Sequence, residues 1–145
     1  MADKQVRDFM TPNPACVSET DSVRDVAQIM AREDTGVVPV VDGRKIIGMI
    51  TDRDIVVRLV AQGKNAASAH VDEAMSKQVR SVREDASVRN ALDLMSNAQI
   101  RRLPVVDGND ELVGIVSIGD IASDTRQADQ IGHAIEEISE APPNN

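Results

Sequence analysis

The chain contains one stretch of sequence twice, and this duplication restricts its possible folds more than any other feature. Residues 39–43 (PVVDG) and 46–51 (IIGMIT) match residues 104–108 (PVVDG) and 112–117 (LVGIVS). The front halves lie 65 residues apart and the back halves 66, so the second copy has one extra residue in the turn after Gly108. A repeat of this length predicts two similar structural units.

The size of each copy indicates how the copies are stabilised. The chain has 145 residues, which suits one domain or two small units with a shared core. A unit of about 60 residues buries only about 60% of its unfolded surface. We therefore expect the two copies to pack on each other and fold as one body. The predicted boundaries are 1–65 for the first repeat, 66–128 for the second, and 129–145 for a C-terminal helix extension and flexible tail.

Composition disfavours several classes of partner. The net charge is −8 and Phe9 is the one aromatic residue, which disfavours nucleic acid and anionic membranes as partners. The single cysteine, Cys16, has no partner for an internal disulfide and fits a reducing compartment. No apolar run is long enough for a membrane span or a signal peptide. The expected localisation is cytoplasmic.

Both copies contain the same amphipathic helix. Ser22 and Ser87 are suitable N-cap residues, each directly before a run with apolar residues at i, i+3, i+4 and i+7. This spacing places the apolar side chains on one helix face. The two sets of apolar residues are Val23, Val26, Ala27 and Met30 in the first copy, and Val88, Ala91, Leu92 and Met95 in the second.

Each of these helices lies between predicted strands. A short strand precedes it, at 15–18 and near 81–82, and a hairpin follows it, at 37–51 and 103–117. A second helix then starts at Asp52 or Gly119, and the first of these has an apolar stripe. The stripe consists of Ile55, Val56, Leu59 and Val60. Each copy is therefore β-α-β-β-α, and the fold class is α+β, with two pseudo-twofold-related repeats packed sheet to sheet.

This order of elements, the PVVDG hairpins and the endings 48–54 (GMITDRD) and 114–120 (GIVSIGD) resemble the CBS (cystathionine β-synthase) domain family. The resemblance covers roughly residues 6–122 and is that of a tandem CBS pair, or Bateman module. It implies clefts between the repeats that bind an adenine nucleotide (AMP, ADP or ATP), with S-adenosylmethionine or NAD as less favoured ligands. It also implies a homodimer, an unknown effector protein as partner, and no required cofactor.

The resemblance also implies roles for particular residues. Thr51 and Asp54 would contact phosphate and ribose in one cleft, and Ser117 and Asp120 in the other. Arg102 would reach the phosphate, and residues of both repeats would form the adenine wall. The predicted ligand-binding residues are Ser117, Asp120, Arg102, Ile115, Thr11, Ala15, Thr35, Thr51, Asp54 and Arg53.

The chemistry of the two aspartates agrees with this assignment and leaves one alternative open. A carboxylate can accept from two vicinal hydroxyls, as the acidic residue of a dinucleotide fold does with ribose, and a helix start offers free N–H groups to phosphate. The alternative is that Asp54 and Asp120 only cap and stabilise a helix N-terminus.

The two clefts are expected to differ. Arg102 lies where the first copy has Val37, and arginine suits phosphate geometrically, although an ordinary solvated charge is the alternative. Arg53 could supply the missing charge of the Thr51/Asp54 cleft, or pair with Asp52 or Asp54 at the surface. Arg80, which replaces Ala15, could obstruct adenine or contact phosphate. We expect one good nucleotide site, at Ser117 and Asp120.

Three function classes follow. The favoured one is a non-catalytic regulatory module that senses adenine nucleotides and signals to a partner. The alternative is a protein–protein interaction module with vestigial clefts. An enzyme is disfavoured because no residue set has the pattern of a catalytic site. Cys16, His70 and His133 lack zinc-type spacing, so no metal site is predicted, and Cys16 is expected to be a small buried residue of a strand.

Overall fold

In a computed structural model of the chain, residues 4–123, 132 and 135–138 are described. They form two compact units. The first-copy unit consists of Pro14–Val79, and the second-copy unit consists of Met1–Asn13 together with Arg80–Asn145. Both units combine a helix with β-structure, which confirms the α+β class and its two repeats. The sheet-to-sheet packing and the boundaries at 65 and 128 stay predictions.

The elements follow the same order in both copies. The strands are β1 (Thr11–Pro12), β2 (Val37–Asp42), β3 (Lys45–Thr51), β4 (Val82–Arg83), β5 (Arg102–Val106) and β6 (Leu112–Ser117). The helices are α1 (Val23–Glu33), α2 (Asp52–Ile55), α3 (Val88–Ala98) and α4 (Ile118–Ala122). Short 3-10 helices lie at Val6–Asp8 and Val71–Glu73, and a π-helix lies at Val56–Val60. No helix among the described residues is long and apolar enough to cross a membrane.

The predicted N-caps of α1 and α3 are confirmed. Ser22 Oγ accepts a hydrogen bond from Asp25 N–H, and Ser87 Oγ accepts one from Asn90 N–H, both at 3.1 Å. Each bond satisfies a backbone donor that the helix itself leaves free. Both helices therefore begin where the sequence predicts.

The two helices bury unequal faces. In α1 only Val23 and Val26 are buried, whereas Ala27 is exposed. In α3 all four predicted positions are buried, with Leu92 at 2% exposure. The predicted apolar face is thus complete in the second copy and half-formed in the first, although the spacing is identical.

The hairpins are also confirmed, while one of the short preceding strands is reduced to a single bridge. β2 pairs with β3 and β5 with β6, both antiparallel, with register shifts between Val40 and Val41 and between Val105 and Val106. β4 runs parallel to β5, but in residues 15–18 only Val17 pairs, with Val40.

The segment before each first helix packs on the hairpin of the other sequence copy. β1 pairs with β6, and Ser76 pairs with Met49 of β3. Glycines allow these close approaches, because a β-carbon on Gly114 would lie 2.9 Å from Thr11 O, and one on Gly48 would lie 2.8 Å from Ser76 O. The compact units therefore result from an exchange of lead-in segments, defined here as residues 5–13 and 70–78.

The predicted stripe of the helix after β3 is wrong in part. Leu59 is fully buried and Ile55 half-buried, but Val56 is 56% exposed and Val60 is 61% exposed. Leu59 packs with Val23 and Ala69, and Ile55, four residues earlier, packs against the same small cluster. Val56 and Val60 lie on the adjacent side of the helix, which that cluster leaves exposed, so the buried stripe is narrower than predicted. In the second copy the helix begins at Ile118, one residue before the predicted Gly119. Most of the predicted C-terminal extension and tail lies outside the described residues.

Candidate ligand-binding junctions

Two strand–helix junctions have the same reciprocal hydrogen bonds. At the Asp54 junction (residues 51–54), Thr51 Oγ1 accepts from Asp54 N–H at 3.0 Å, and Asp54 Oδ2 accepts from Thr51 N–H at 2.9 Å. At the Asp120 junction (residues 117–120), Ser117 and Asp120 make the same pair at 3.1 and 2.9 Å. Both are capping boxes. Asp54 and Asp120 therefore do cap the N-terminus of a helix, which was the structural alternative to ligand binding. Each capping box uses one carboxylate oxygen and leaves the other outside it.

The second carboxylate oxygen distinguishes the junctions. Asp120 Oδ1 has no hydrogen-bond or ion-pair partner among the described residues. Asp54 Oδ1 lies 3.8 Å from Arg58 Nε. An ionised carboxylate can accept several hydrogen bonds. Asp120 Oδ1 is therefore available to a donor group of a ligand, whereas Asp54 Oδ1 already interacts with Arg58.

The second-copy unit brings together five of the predicted site residues. Thr11 is paired with Ile115 across β1 and β6, and Arg102 is paired with Ser117 across β5 and β6. The Arg102 side chain is exposed and has no protein partner among the residues described. A cation, a hydroxyl and a carboxylate therefore lie together where β6 meets α4.

Two further predicted residues of the same cleft belong to the first-copy unit. Ala15 is half-buried. The Thr35 hydroxyl donates to Val37 O at 3.1 Å and accepts from Val37 N–H at 3.3 Å. These bonds tie Thr35 to the start of β2, and its role in an adenine wall stays a prediction, as does that of Ala15.

The Asp54 junction has a different set of charges. Val37 faces Thr51 in register, where the second copy has Arg102 facing Ser117. Arg53 is exposed, and its backbone N–H donates to Asp52 Oδ1 at 2.8 Å. Within the described part of the chain its guanidinium pairs with neither Asp52 nor Asp54. The alternative in which Arg53 forms a surface ion pair with Asp52 or Asp54 is therefore not found. Its role as the cation of the Thr51/Asp54 cleft stays a prediction.

Arg58 is the residue at this junction that the sequence interpretation missed. Its Nη1 donates to Met75 O at 3.0 Å and to Ala74 O at 3.4 Å, while its Nε lies near Asp54. An Asp followed by Arg four residues later on a helix is a recognised stabilising pair, so the sequence did contain a signal for the ion pair. It contained none for the two carbonyl contacts, because those acceptors are 16 and 17 residues away.

Nucleophile and metal chemistry find little support in the described residues. Cys16 is exposed, which corrects the expectation of a buried residue. Partial burial, and then the nearby Asp21 carboxylate, raise the pKa of its thiol, so the reactive thiolate is disfavoured at neutral pH. No group of three His, Cys, Asp or Glu side chains in the described ranges could hold a metal ion.

Comparison with known proteins identifies the repeat. The CBS domain matches this chain twice, at residues 6–61 and 71–124. The CBS domain-containing protein YhcV of Bacillus subtilis is 40% identical over 134 residues, which is 92% of this chain and 94% of that protein. Hypoxic response protein 1 of Mycobacterium tuberculosis is 37% identical over 117 residues, covering 80% of this chain and 81% of that protein.

Solved structures show the same architecture. The crystal structure of Hypoxic Response Protein I with two coordinated zinc ions has a TM-score of 0.76 at 36% identity, covering 83% of this chain and 98% of its own. The CBS domain pair of protein MJ0100, in complex with 5′-methylthioadenosine and S-adenosyl-L-methionine, has a TM-score of 0.71 at 30% identity, covering 83% and 98%.

Proposed function

Because the chain belongs to the CBS-domain family and contains two such domains, we propose that it is a non-enzymatic regulatory module that binds an adenine nucleotide at the Asp120 junction. The observation that carries this proposal is the grouping of Arg102, Ser117 and Asp120 at one strand–helix junction, with one carboxylate oxygen unused among the described residues. AMP, ADP and ATP are the favoured ligands, and S-adenosylmethionine and NAD are the less favoured ones.

Each group has a distinct task in this proposal. Asp120 Oδ1 accepts hydrogen bonds from the vicinal ribose hydroxyls, as acidic residues of dinucleotide folds do. The Ser117 hydroxyl accepts from Asp120 N–H and keeps its own proton to donate to a phosphate oxygen. Arg102 supplies the charge-assisted contact to phosphate, while Thr11 and Ile115 form part of the adenine wall.

The MJ0100 domain pair supports the ligand class, because both of its named ligands contain adenosine. Binding to the folded protein would stabilise it by mass action and would shift the populations of its conformations. The regulatory output would then pass through a homodimer to an effector protein of unknown identity. The module itself would bind its ligand and leave it chemically unchanged.

Isothermal titration calorimetry of ligand-stripped protein tests the proposal, with AMP, ATP and S-adenosylmethionine titrated separately. We expect saturable binding of at least one adenosine compound and a loss of at least about tenfold in affinity for Asp120→Asn. Asp110→Asn is the matched control, because Asp110 is an exposed turn residue of the same unit. Absence of binding by the unaltered protein, or equal affinities of the three proteins, would contradict the proposal.

One observation favours a second candidate function, an interaction module. Val56, Val57 and Val60 are each at least 43% exposed on the π-helix, and neighbouring exposed apolar residues are typical of protein–protein contact sites. In that case, capture of a partner by the double variant Asp54→Ala with Asp120→Ala would equal capture by the unaltered chain. Ligand-dependent capture that disappears in the double variant would support the sensor instead.

A further inference from the structure

Arg58 connects the Asp54 carboxylate to a lead-in segment of the same unit. Its Nη1 donates to the carbonyls of Ala74 and Met75, which follow the 3-10 helix at Val71–Glu73. Its Nε lies 3.8 Å from Asp54 Oδ1. The guanidinium is therefore held by the two carbonyls at a position beside the aspartate, which limits its freedom to move away.

Asp54 then has both carboxylate oxygens engaged. Oδ2 accepts from Thr51 N–H within the capping box, and Oδ1 faces the arginine. The Asp54 side chain is only 18% exposed, so few directions remain from which a ligand could approach it. A ribose diol that donates hydrogen bonds to Oδ1 must therefore displace the guanidinium or share this oxygen with it.

The described part of the second copy has no such arrangement. The residue that aligns with Arg58, at the 66-residue offset that relates Asp54 to Asp120, is Asp124. An acidic residue cannot donate to carbonyls or neutralise a neighbouring carboxylate. The difference in charge at this one position parallels the difference between Asp54 Oδ1, which has a partner, and Asp120 Oδ1, which has none among the described residues.

We propose that Arg58 determines which junction binds ligand: it occupies Asp54 and thereby excludes a ribose diol from the Asp54 junction, leaving the diol-binding role to Asp120. This inference rests on the proposed function and assigns its ligand selectivity to a residue outside the predicted site. Removal of the guanidinium, with the backbone hydrogen bonds of the capping box intact, converts Asp54 into a second diol acceptor.

The test measures AMP affinity by isothermal titration calorimetry in full-length protein that carries Asp120→Asn, so that only the Asp54 junction can accept a diol. Adding Arg58→Met, which keeps the length of the side chain and removes its charge, should tighten AMP binding at least about fivefold. The gain should disappear when Asp54→Asn is added. Arg32→Met is the matched control, because Arg32 is an exposed arginine of the same unit that also pairs with a carboxylate.

Titration with 2′-deoxy-AMP separates diol binding from a general structural effect. It has the same base and phosphate and lacks one ribose hydroxyl, so Arg58→Met should leave its affinity nearly unchanged. An equal gain for both nucleotides, or no gain for AMP, would overturn the inference. Circular dichroism melting verifies folding, and if Arg58→Met fails to fold, Arg58→Gln replaces it, because its amide can still donate to Met75 O.

The outcomes separate this inference from the proposed function. If the unaltered protein binds AMP through Asp120 and Arg58→Met adds nothing, the selectivity role of Arg58 is wrong and the sensor function stands. If the unaltered protein binds no AMP but Arg58→Met does, Asp54 is a diol acceptor masked by Arg58, and the assignment to Asp120 is wrong. If neither protein binds AMP, both proposals fail.

Discussion

The Asp54 and Asp120 junctions have the same backbone hydrogen bonds and different neighbours. Each has a capping box with bonds between 2.9 and 3.1 Å. Around one box lie Val37 and Arg58, and around the other lies Arg102. A four-residue cap survives duplication because it depends on local sequence alone, whereas binding capacity depends on residues contributed by other elements. Similar junctions therefore need not bind the same ligand.

The largest expected effect concerns the unequal helix faces. Leu92 is buried in the second-copy core, and its counterpart Ala27 is exposed on α1. The test replaces each residue with its counterpart. Leu92→Ala should lower the free energy of unfolding by about 2–5 kcal/mol because it leaves a cavity. Ala27→Leu should change that free energy by less than about 0.5 kcal/mol. Urea denaturation followed by circular dichroism measures both, and comparable losses would show that the two faces are equivalent.

The next effect concerns the close approach of the lead-ins to the hairpins. Gly114→Ala and Gly48→Ala each force a β-carbon to within 3 Å of a backbone oxygen, so we expect losses of about 1–3 kcal/mol in unfolding free energy. Gly108→Ala is the control, because its β-carbon would have no neighbour closer than 3.6 Å. The same denaturation experiment applies, and a loss for Gly108→Ala as large as the other two would refute the steric explanation.

A smaller effect should be equal at the two junctions. Thr51→Ala and Ser117→Ala each remove the side-chain acceptor of a helix N-cap, at a cost of about 1 kcal/mol in unfolding free energy. AMP titration of the same variants should separate them, with weaker binding only for Ser117→Ala. Equal stability losses with equal AMP affinities would mean that Ser117 has a structural role alone.

The smallest effect is that of the Arg58 ion pair on stability. Arg58 is 50% exposed, and an exposed pair contributes about 0.2–1 kcal/mol. Arg58→Met also removes the two carbonyl contacts, so we expect the ion pair to account for only the part of the destabilisation that disappears in 1 M NaCl, where charges are screened within about 3 Å. Thermal melting at low and high salt measures this. A loss of several kcal/mol that is insensitive to salt would assign Arg58 a packing role instead of an electrostatic one.

Contacts of the site between residues close in sequence were easier to predict than contacts between residues far apart in sequence. The caps at Thr51 and Ser117 each span three residues, and a cap by Asp54 or Asp120 was the alternative interpretation of the local sequence there. The pairing of Arg102 with Ser117 extends the predicted hairpin by one residue, because the strand was expected to begin at Leu103. The contact of Arg58 with Met75 joins residues 17 apart, and no periodicity links them. The exposure of Val56 and Val60 was missed because the spacing of apolar residues does not show how wide a helix face the neighbouring elements will cover.

The sequence by itself determined the duplication, the capped helices and the hairpins, because each of these depends on propensities and hydrogen bonds between residues close in the chain. Only the tertiary structure decided that each lead-in packs on the hairpin of the other copy, that α3 buries a full face while α1 does not, and that Arg58 engages Asp54. These outcomes depend on which distant surfaces come into contact. Two copies with the same local pattern can differ in these tertiary contacts. A single glycine, arginine or bulkier side chain changes which residues a distant segment can contact.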